Sequence, residues 1–522
     1  MRTPRLRTAG AAILAATGLV VTALATTSGS AGAARTTTIR VAQSVCRAPT
    51  SGHASCHAKR LVTEKVSSSK AAALEEKGVA KSVKDSRLGF GPAGGYTPKQ
   101  VARAYGIDAT TKTKQTVAIV DAFDNPSVRA DLNAFDQHYG FPKETNKSFQ
   151  VINQSGQASP LPTPDEGWAG EITLDVQSVR AVCRSCRILL VEADDNTDDN
   201  LGAAVNQAVK QGAKIVSNSY GGPETPADPP ATIKDYRHKG VAILASTGDD
   251  GWYDWDNANS GLTSDNEPQV PASYNTVVGV GGTSLYLDPD GTRASETAWN
   301  GNGPADLDGY SDVNSLGFEP GAAGSGCSHL YHAKSWQQNV KGYRSLGCGA
   351  TKRNGVDIAA VADEFTGVDV YETFDWCTSP KPDICPLTAA DNGWATYGGT
   401  SLASPLVAGM WALAGGPHGV AYPAKTLYQH YKKSRSSTFD VRVGGTGACN
   451  TQSPSACSGL VQFLIYGGST GFNPNAGPAG LLDCAWGAGG DAVKSNRAQC
   501  YAQPGYDGVS GVGAPKGLKV FK

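Results

Sequence analysis

From about residue 95 onward, two patterns of apolar residues take turns along the chain. Short continuous apolar runs of strand length appear at QTVAIVDAF (115–123), RILLVEAD (187–194), KIVSNSY (214–220), VAILAST (241–247) and TVVGVGG (276–282). Between them lie stretches with apolar residues at helical spacing: YTPKQVARAYGI (96–107), NPSVRADLNAFDQHYG (125–140), residues 169–182, NLGAAVNQAVKQGA (200–213) and residues 227–239. A run buried on both faces followed by an amphipathic helix is the signature of a parallel sheet flanked by helices. The expected fold class is therefore α/β. In such sheets chemistry gathers at the carboxyl ends of the strands.

The first 93 residues break this pattern. Arg2, Arg5 and Arg7 precede the apolar run AGAAILAATGLVVTALA, and small residues SGSAGAAR follow. That order predicts a secretory signal peptide over 1–33, with cleavage near Ala33 or Ala34. Residues 34–93 are polar, rich in Ala, Ser and Lys, and read as a short propeptide and linker before a main domain at 94–522. The chain is expected to be secreted and extracellular, with no membrane attachment after signal removal. Its formal net charge is −1 and no basic block stands out, which argues against a nucleic-acid partner.

The 12 cysteines suit an exported, disulfide-bonded protein. Local pairing predicts Cys46–Cys56, Cys183–Cys186, Cys327–Cys348 and Cys377–Cys385. Cys449, Cys457, Cys484 and Cys500 pair either sequentially or nested. They staple a Gly- and Ser-rich insertion over 443–500.

Candidate chemistry starts at YGGTSLASPL (397–406), where Ser401 stands at the junction of a turn and the apolar helix LVAGMWAL. Unpaired N–H groups at a helix start can hold an oxyanion, but a serine hydroxyl needs a base. None of the eight histidines sits in a His-Gly-Thr-His setting, and His53 and His57 fall in the propeptide segment. Carboxylates are the better candidates. In GEITLDVQSVRAV (170–182), Glu171 and Asp175 are four apart and so are neighbours on one helical face. Two carboxyls so placed perturb each other and favour a shared proton. Asp249, in ASTGDDGW, follows a buried strand and a glycine.

These pieces, in this order, resemble the sedolisin (serine-carboxyl peptidase) family, which has a subtilisin-like fold. The resemblance runs from about Gly94 to the C-terminus. It rests on GGYTPKQVARAYG, TVAIVDAFDNP, GEITLDVQ, KIVSNSYGG, ASTGDDG, VPASYNTVVGVGGTSL, NGVDIAAVADEFTGVDVY, GGTSLASPLVAG and PGYDGVSGVGAPKG. It implies Ser401 as nucleophile, Glu171 as general base, Asp175 as the residue orienting it and Asp249 as the oxyanion stabiliser. Asp121, at the end of the first strand, would be structural. The implied activity is endopeptidase hydrolysis of protein or peptide substrates at acidic pH, by a monomer. The resemblance also implies one structural calcium ion. Asp440 and Asp507 would supply carboxylates, and Val441, Gln503 and Gly505 backbone carbonyls. The insertion lengthens the loop between the two halves of that site, and nested bridges Cys449–Cys500 and Cys457–Cys484 would leave it intact. A non-catalytic binding protein on the same scaffold is the alternative reading. A glycosidase built on paired carboxylates gives Ser401 no role.

Overall fold

The computed structural model describes residues 36–46, 52–76, 80–82, 90–224, 230–252, 268–301, 321–349, 351–374, 393–446, 448–449, 482–483 and 498–522. At its centre is an eight-stranded sheet. Its strands run in the spatial order Phe149–Asn153, Arg187–Ala193, Thr116–Ala122, Ile215–Asn218, Ala242–Ser246 and Val278–Leu287. The long last strand pairs in parallel with Ile358–Val361 and antiparallel with Arg293–Ala298. Every other pairing along the sheet is parallel. The five apolar runs become core strands because both of their faces are covered: Val117–Val120, Ile215, Val216 and Ala242–Ala245 are all buried. Phe149–Asn153, too short and mixed to announce itself, is added at the edge beside Arg187–Ala193.

The order of the sheet reverses at Thr116–Ala122. The chain first winds out to one edge, then returns to lay Ile215–Asn218 on the other side. Such a reversal opens a crevice at the strands' carboxyl ends. Asp121 and Ser219 lie there, and Asp249 follows the next strand.

Two helices point into this crevice. The carboxylate helix, Glu166–Val182, starts three residues earlier than its apolar spacing suggests. The Asp165 side chain caps it, accepting the Trp168 N–H at 3.0 Å. The nucleophile helix, Thr400–Leu413, begins after Gly399, whose φ of 93° is open to glycine but strained for other residues. Every residue of the nucleophile helix is buried, as is Trp168–Val182 of its neighbour. The nucleophile helix is apolar on nearly all sides and so belongs in a core, whereas the carboxylate helix buries polar side chains as well, Glu171 and Asp175 among them. The two helices approach closely because Gly409 has no side chain: a Cβ there would lie 2.6 Å from Val182 Cγ2. The helix expected over 227–239 is Pro230–Asp235, and residues 225–229 lie outside the described part.

Part of the polar N-terminal region is woven into this body. Thr36–Ser44 and Lys59–Ser67 pair antiparallel along nine residues. Lys59–Ser67 continues onto Trp394–Gly398, the strand that leads to Ser401. Disulfides Cys46–Cys56, Cys183–Cys186 and Cys327–Cys348 form as local pairing predicts. Cys500 is also disulfide-bonded. Cys377–Cys385 and the pairing within the insertion lie outside the described residues.

Adding a methyl at Gly409 tests the helix contact. Gly409→Ala should lower the urea midpoint at unchanged m-value, costing about 1–3 kcal/mol. In a double-mutant cycle, Val182→Ala should recover part of that loss. Additive effects would show that the two positions do not press on each other.

Candidate active site

Ser401 is the second residue of its helix, so its backbone N–H has no partner within the helix. That N–H donates instead to the carbonyl oxygen of His57, at 3.0 Å. The Ser401 hydroxyl donates to the backbone oxygen of Ser219 at 3.2 Å. Ser219 lies just past the strand Ile215–Asn218, and its own hydroxyl reaches both oxygens of Asp175 at 2.8 Å.

Glu171 and Asp175 share one face of the carboxylate helix, and both are wholly buried. Among the described residues, neither oxygen of Glu171 has a well-aligned hydrogen bond. The Ser401 hydroxyl still lies close enough to Glu171 to lower its proton affinity. Burial, the largest influence, pushes Glu171 well above the usual carboxylate range, and the charges of Asp175 and Asp121 add to it. Asp175 is raised the same way, by burial first and then by Asp121, with the Ser219 hydroxyl pulling it down. The spacing of four residues thus delivers two interacting carboxyls beside the serine, with Glu171 nearer to it.

Asp249 closes the other side. Its Oδ1 accepts the Thr400 N–H at 2.7 Å and the Thr400 hydroxyl at 2.8 Å. Its Oδ2 is buried, with no hydrogen-bond partner among the described residues. That oxygen and the His57 carbonyl crowd the same face of Gly399, where a Cβ would stand 2.7 Å from one and 2.1 Å from the other. Burial raises Asp249 to about 8, against the pull of the Lys59 ammonium. A protonated Oδ2 is a hydrogen-bond donor, and with the Ser401 N–H it frames one small site for a carbonyl oxygen. All four residues expected to act together are therefore brought together.

Several partners were not found by sequence reasoning. Ser219 and Thr400 stand inside quoted motifs, but only the fold shows what their hydroxyls bind. Asp121 was expected to be structural. It is wholly buried, has no hydrogen-bond partner among the described residues, is raised to about 8 by burial, and bears on both Glu171 and Asp175. Across the sheet it is paired with Glu192, which burial and Asp124 push up to about 10. His57 left no signal, because a backbone carbonyl carries none.

The two halves of the expected calcium site also meet. The Gly505 N–H donates to Asp440 at 2.9 Å, and the Gln503 N–H to Asp507 at 3.0 Å. Asp507 is wholly buried, and among the described residues no cationic side chain pairs with it. Burial, with Asp440 adding to it, raises Asp507 to about 7. Asp440 is partly exposed and pairs with Arg442 at 2.8 Å. No cluster of three or more His, Cys, Asp or Glu side chains that could hold a metal occurs among the described residues. A hard cation here would be held by two carboxylates plus backbone carbonyls, and Asp507, buried with no cationic side chain beside it among the described residues, suits that donor set.

Known proteins resemble this chain in sequence and fold. The family model described as "Subtilase family" matches residues 165–437, more than half of the chain. "Sedolisin" of Pseudomonas sp. (strain 101) is 27% identical over 375 residues, covering 69% of this chain and 57% of that protein. "Xanthomonalisin" of Xanthomonas sp. (strain T-22) is 27% identical over 388 residues, covering 67% and 42%. The chain thus spans about half the length of these relatives. The solved structure of "Pseudomonas sedolisin (serine-carboxyl proteinase) complexed with two molecules of pseudo-iodotyrostatin" matches with a TM-score of 0.58 at 23% identity, over 82% of this chain and 97% of that one. That likeness shows the subtilisin-like fold. The family match shows that the chain belongs to the subtilase family.

Proposed function

We propose that this protein is a secreted serine-carboxyl endopeptidase, active at acidic pH, using Ser401, Glu171 and Asp175 as its triad and Asp249 at the oxyanion. The observation that carries this reading is the His57 carbonyl, held by the Ser401 N–H and facing Asp249 Oδ2. It marks where a substrate carbonyl would sit.

From that position the steps follow. The Ser401 hydroxyl turns from Ser219 to Glu171 and gives up its proton as Oγ attacks the carbonyl carbon. Negative charge develops on the carbonyl oxygen, between the Ser401 N–H and protonated Asp249. Glu171 passes the proton to the departing amine, and water then hydrolyses the acyl-enzyme. One proton shared by Glu171 and Asp175 suits this work: it leaves one carboxylate to act as base, and Ser219 holds Asp175 in place. A bound calcium ion would stabilise the folded C-terminal segment through Asp440 and Asp507 with the carbonyls of Val441, Gln503 and Gly505. Export rests on the N-terminal pattern of arginines, apolar run and small residues.

The positions of the carboxyl protons support the acidic part of this reading, through the stability of the fold. In the unfolded chain Asp ionises near pH 4. In the folded chain Asp121 and Asp249 keep their protons up to about 8. Their folded-state pKa is raised, so unfolding releases a proton in this window. Their contribution is fully present below about pH 4 and is lost as pH rises toward about 8, by about 1.4 kcal/mol per pH unit for each group.

Thermal unfolding of Ser401→Ala, followed from pH 4 to pH 8, should therefore show a falling midpoint. Asp121→Asn should flatten that slope; a midpoint that holds or rises with pH would contradict the protonated cluster.

Ser401→Ala and Glu171→Ala should each abolish or severely reduce peptide hydrolysis with the fold retained. Asp249→Ala should lower kcat by roughly 100- to 1000-fold with little change in KM, because its contact forms in the transition state. Asp249→Asn donates at any pH, so its kcat/KM should persist to higher pH than the parent's. A coincident alkaline limb would remove Asp249 as the limiting acid.

Calcium should raise the melting temperature of the parent and a chelator should lower it, because binding only to the folded state stabilises it. Asp507→Ala should erase the difference. Equal melting with and without the ion would show that these residues hold none.

A further inference from the structure

The loop that carries Asp249 is not held by its own strand alone. Further stretches of backbone pair with it, and with one another, edge to edge. The Ala322 N–H donates to the Asp249 backbone oxygen at 2.7 Å, and the Gly324 N–H to the Gly248 oxygen at 2.7 Å. Beyond them, the Ala323 N–H reaches the Trp299 oxygen at 3.2 Å. Next, the Ala298 N–H donates to the Val443 oxygen at 2.9 Å, and the Asn300 side-chain amide to the Gly445 oxygen at 2.8 Å. Last, the Thr446 N–H meets the Cys500 oxygen at 2.7 Å, and the Ala502 N–H meets the Gly444 oxygen at 3.0 Å. Glycines let these stretches lie close. A Cβ on Gly324 would stand 1.9 Å from the Thr247 oxygen, and one on Gly444 would stand 2.9 Å from the Ala298 oxygen.

The series closes on itself at Trp252, at the far end of the Asp249 loop. The Trp252 backbone N–H donates to the Thr446 oxygen at 2.8 Å, and its indole Nε1–H to Gln499 Oε1 at 3.2 Å. Trp252 and Thr446 are wholly buried, and Gln499 is buried with them. A buried indole N–H needs an acceptor, and Gln499 supplies one. The Thr446 hydroxyl lies 2.6 Å from that of Ser325, next to Gly324. Gln499 is confined from behind: a Cβ on Gly508 would fall 2.4 Å from the Gln499 Cα.

Thr446 and Gln499 belong to the two ends of the Gly- and Ser-rich insertion. Those ends are paired with each other as a stem, and the stem grips the loop just after Asp249. Asp249 needs such a hold. Stabilising an oxyanion depends on donors fixed in advance where the charge will develop. A displacement of about 1 Å at such a group can cost roughly 100-fold in rate. Thr400 fixes the carboxyl end of Asp249, through its N–H and its hydroxyl. The ring of paired segments fixes the backbone from which that side chain springs.

We propose that Trp252, held by Thr446 and Gln499, is a positioning residue for the oxyanion: the stem of the insertion braces the loop that aims Asp249. The proposal rests on the peptidase reading given above. Trp252 touches no reacting atom, so it acts only through Asp249. With the indole bond lost, the loop keeps its place in the fold but holds Asp249 less firmly. The contact to the developing oxyanion weakens, whereas the strand edges that bind the rest of a peptide are untouched. The effect therefore falls on kcat rather than on KM.

The test is a double-mutant cycle on the full chain: the parent, Trp252→Phe, Asp249→Ala and the two changes together, each hydrolysing one peptide at acidic pH. Trp252→Phe keeps an aromatic ring in the core and removes the indole donor. It should lower kcat about 10-fold with KM little changed. In the Asp249→Ala background the same change should lower kcat no further, because nothing is left to aim. A Trp252 that serves the fold alone gives a lower melting temperature with kcat unchanged well below it, or equal kcat losses in the two backgrounds. Either result overturns the brace and leaves the peptidase reading standing. Should Trp252→Phe fail to melt cooperatively, Gln499→Leu keeps the indole in place and removes only its acceptor. The same loss, absent in the Asp249→Ala background, is expected, and an additive loss or none overturns the brace. A parent that cuts no peptide overturns the peptidase reading and the brace with it.

Discussion

The structure depends on burying carboxyl groups where no cation compensates them. Asp121, Glu171 and Asp175 lie wholly inside the protein, with Glu192 beside them across the sheet. Among the described residues none of these four forms a salt bridge. Removing an ionised carboxylate from water is too costly for such a site to hold several at once, so at most one of these groups is ionised and the others keep their protons. That single constraint links packing to chemistry. The same burial that raises these groups makes Asp249 a hydrogen-bond donor and leaves Glu171 and Asp175 to divide a proton.

Placement of that cluster is the work of the sheet reversal and of small residues. The strands deliver Asp121, Ser219 and Asp249 to one edge, because parallel strands end on the same side. The two buried helices deliver Glu171, Asp175 and Ser401. Their approach requires Gly409, and the entry to the nucleophile helix requires Gly399, where any side chain would collide with the peptide in the crevice. Function and packing meet at these glycines: one permits the helix contact, the other leaves space for a carbonyl.

Occupation of the crevice changes what the N-terminal region means. Its polar composition suggested a segment apart from the catalytic body. In the fold it supplies two strands, a disulfide and the carbonyl held by Ser401. Its Lys59 also alters the electrostatics, lowering the proton affinity of Asp249 and of buried Glu364. The protonation of the site with the segment docked is therefore not that of an open crevice.

Sequence alone determined the alternation of strands and helices, since burial on both faces forces continuous apolar runs and helices repeat on their own period. It determined Ser401, Glu171, Asp175 and Asp249 as candidates, since a helix start, a spacing of four and a strand end are local features. It also determined the three short-range disulfides, where chain proximity favours closure. What it left open depends on contacts distant in sequence. The edge strand Phe149–Asn153 exists because a partner strand satisfies its backbone. The entry of Asp121 into the carboxyl cluster required the sheet to set it beside Glu171. The hydroxyl of Ser219 found Asp175 only across 44 positions of sequence. The seat of His57 was legible nowhere in the chain. A backbone oxygen is the same at every residue, and only the tertiary structure decides which one meets the serine.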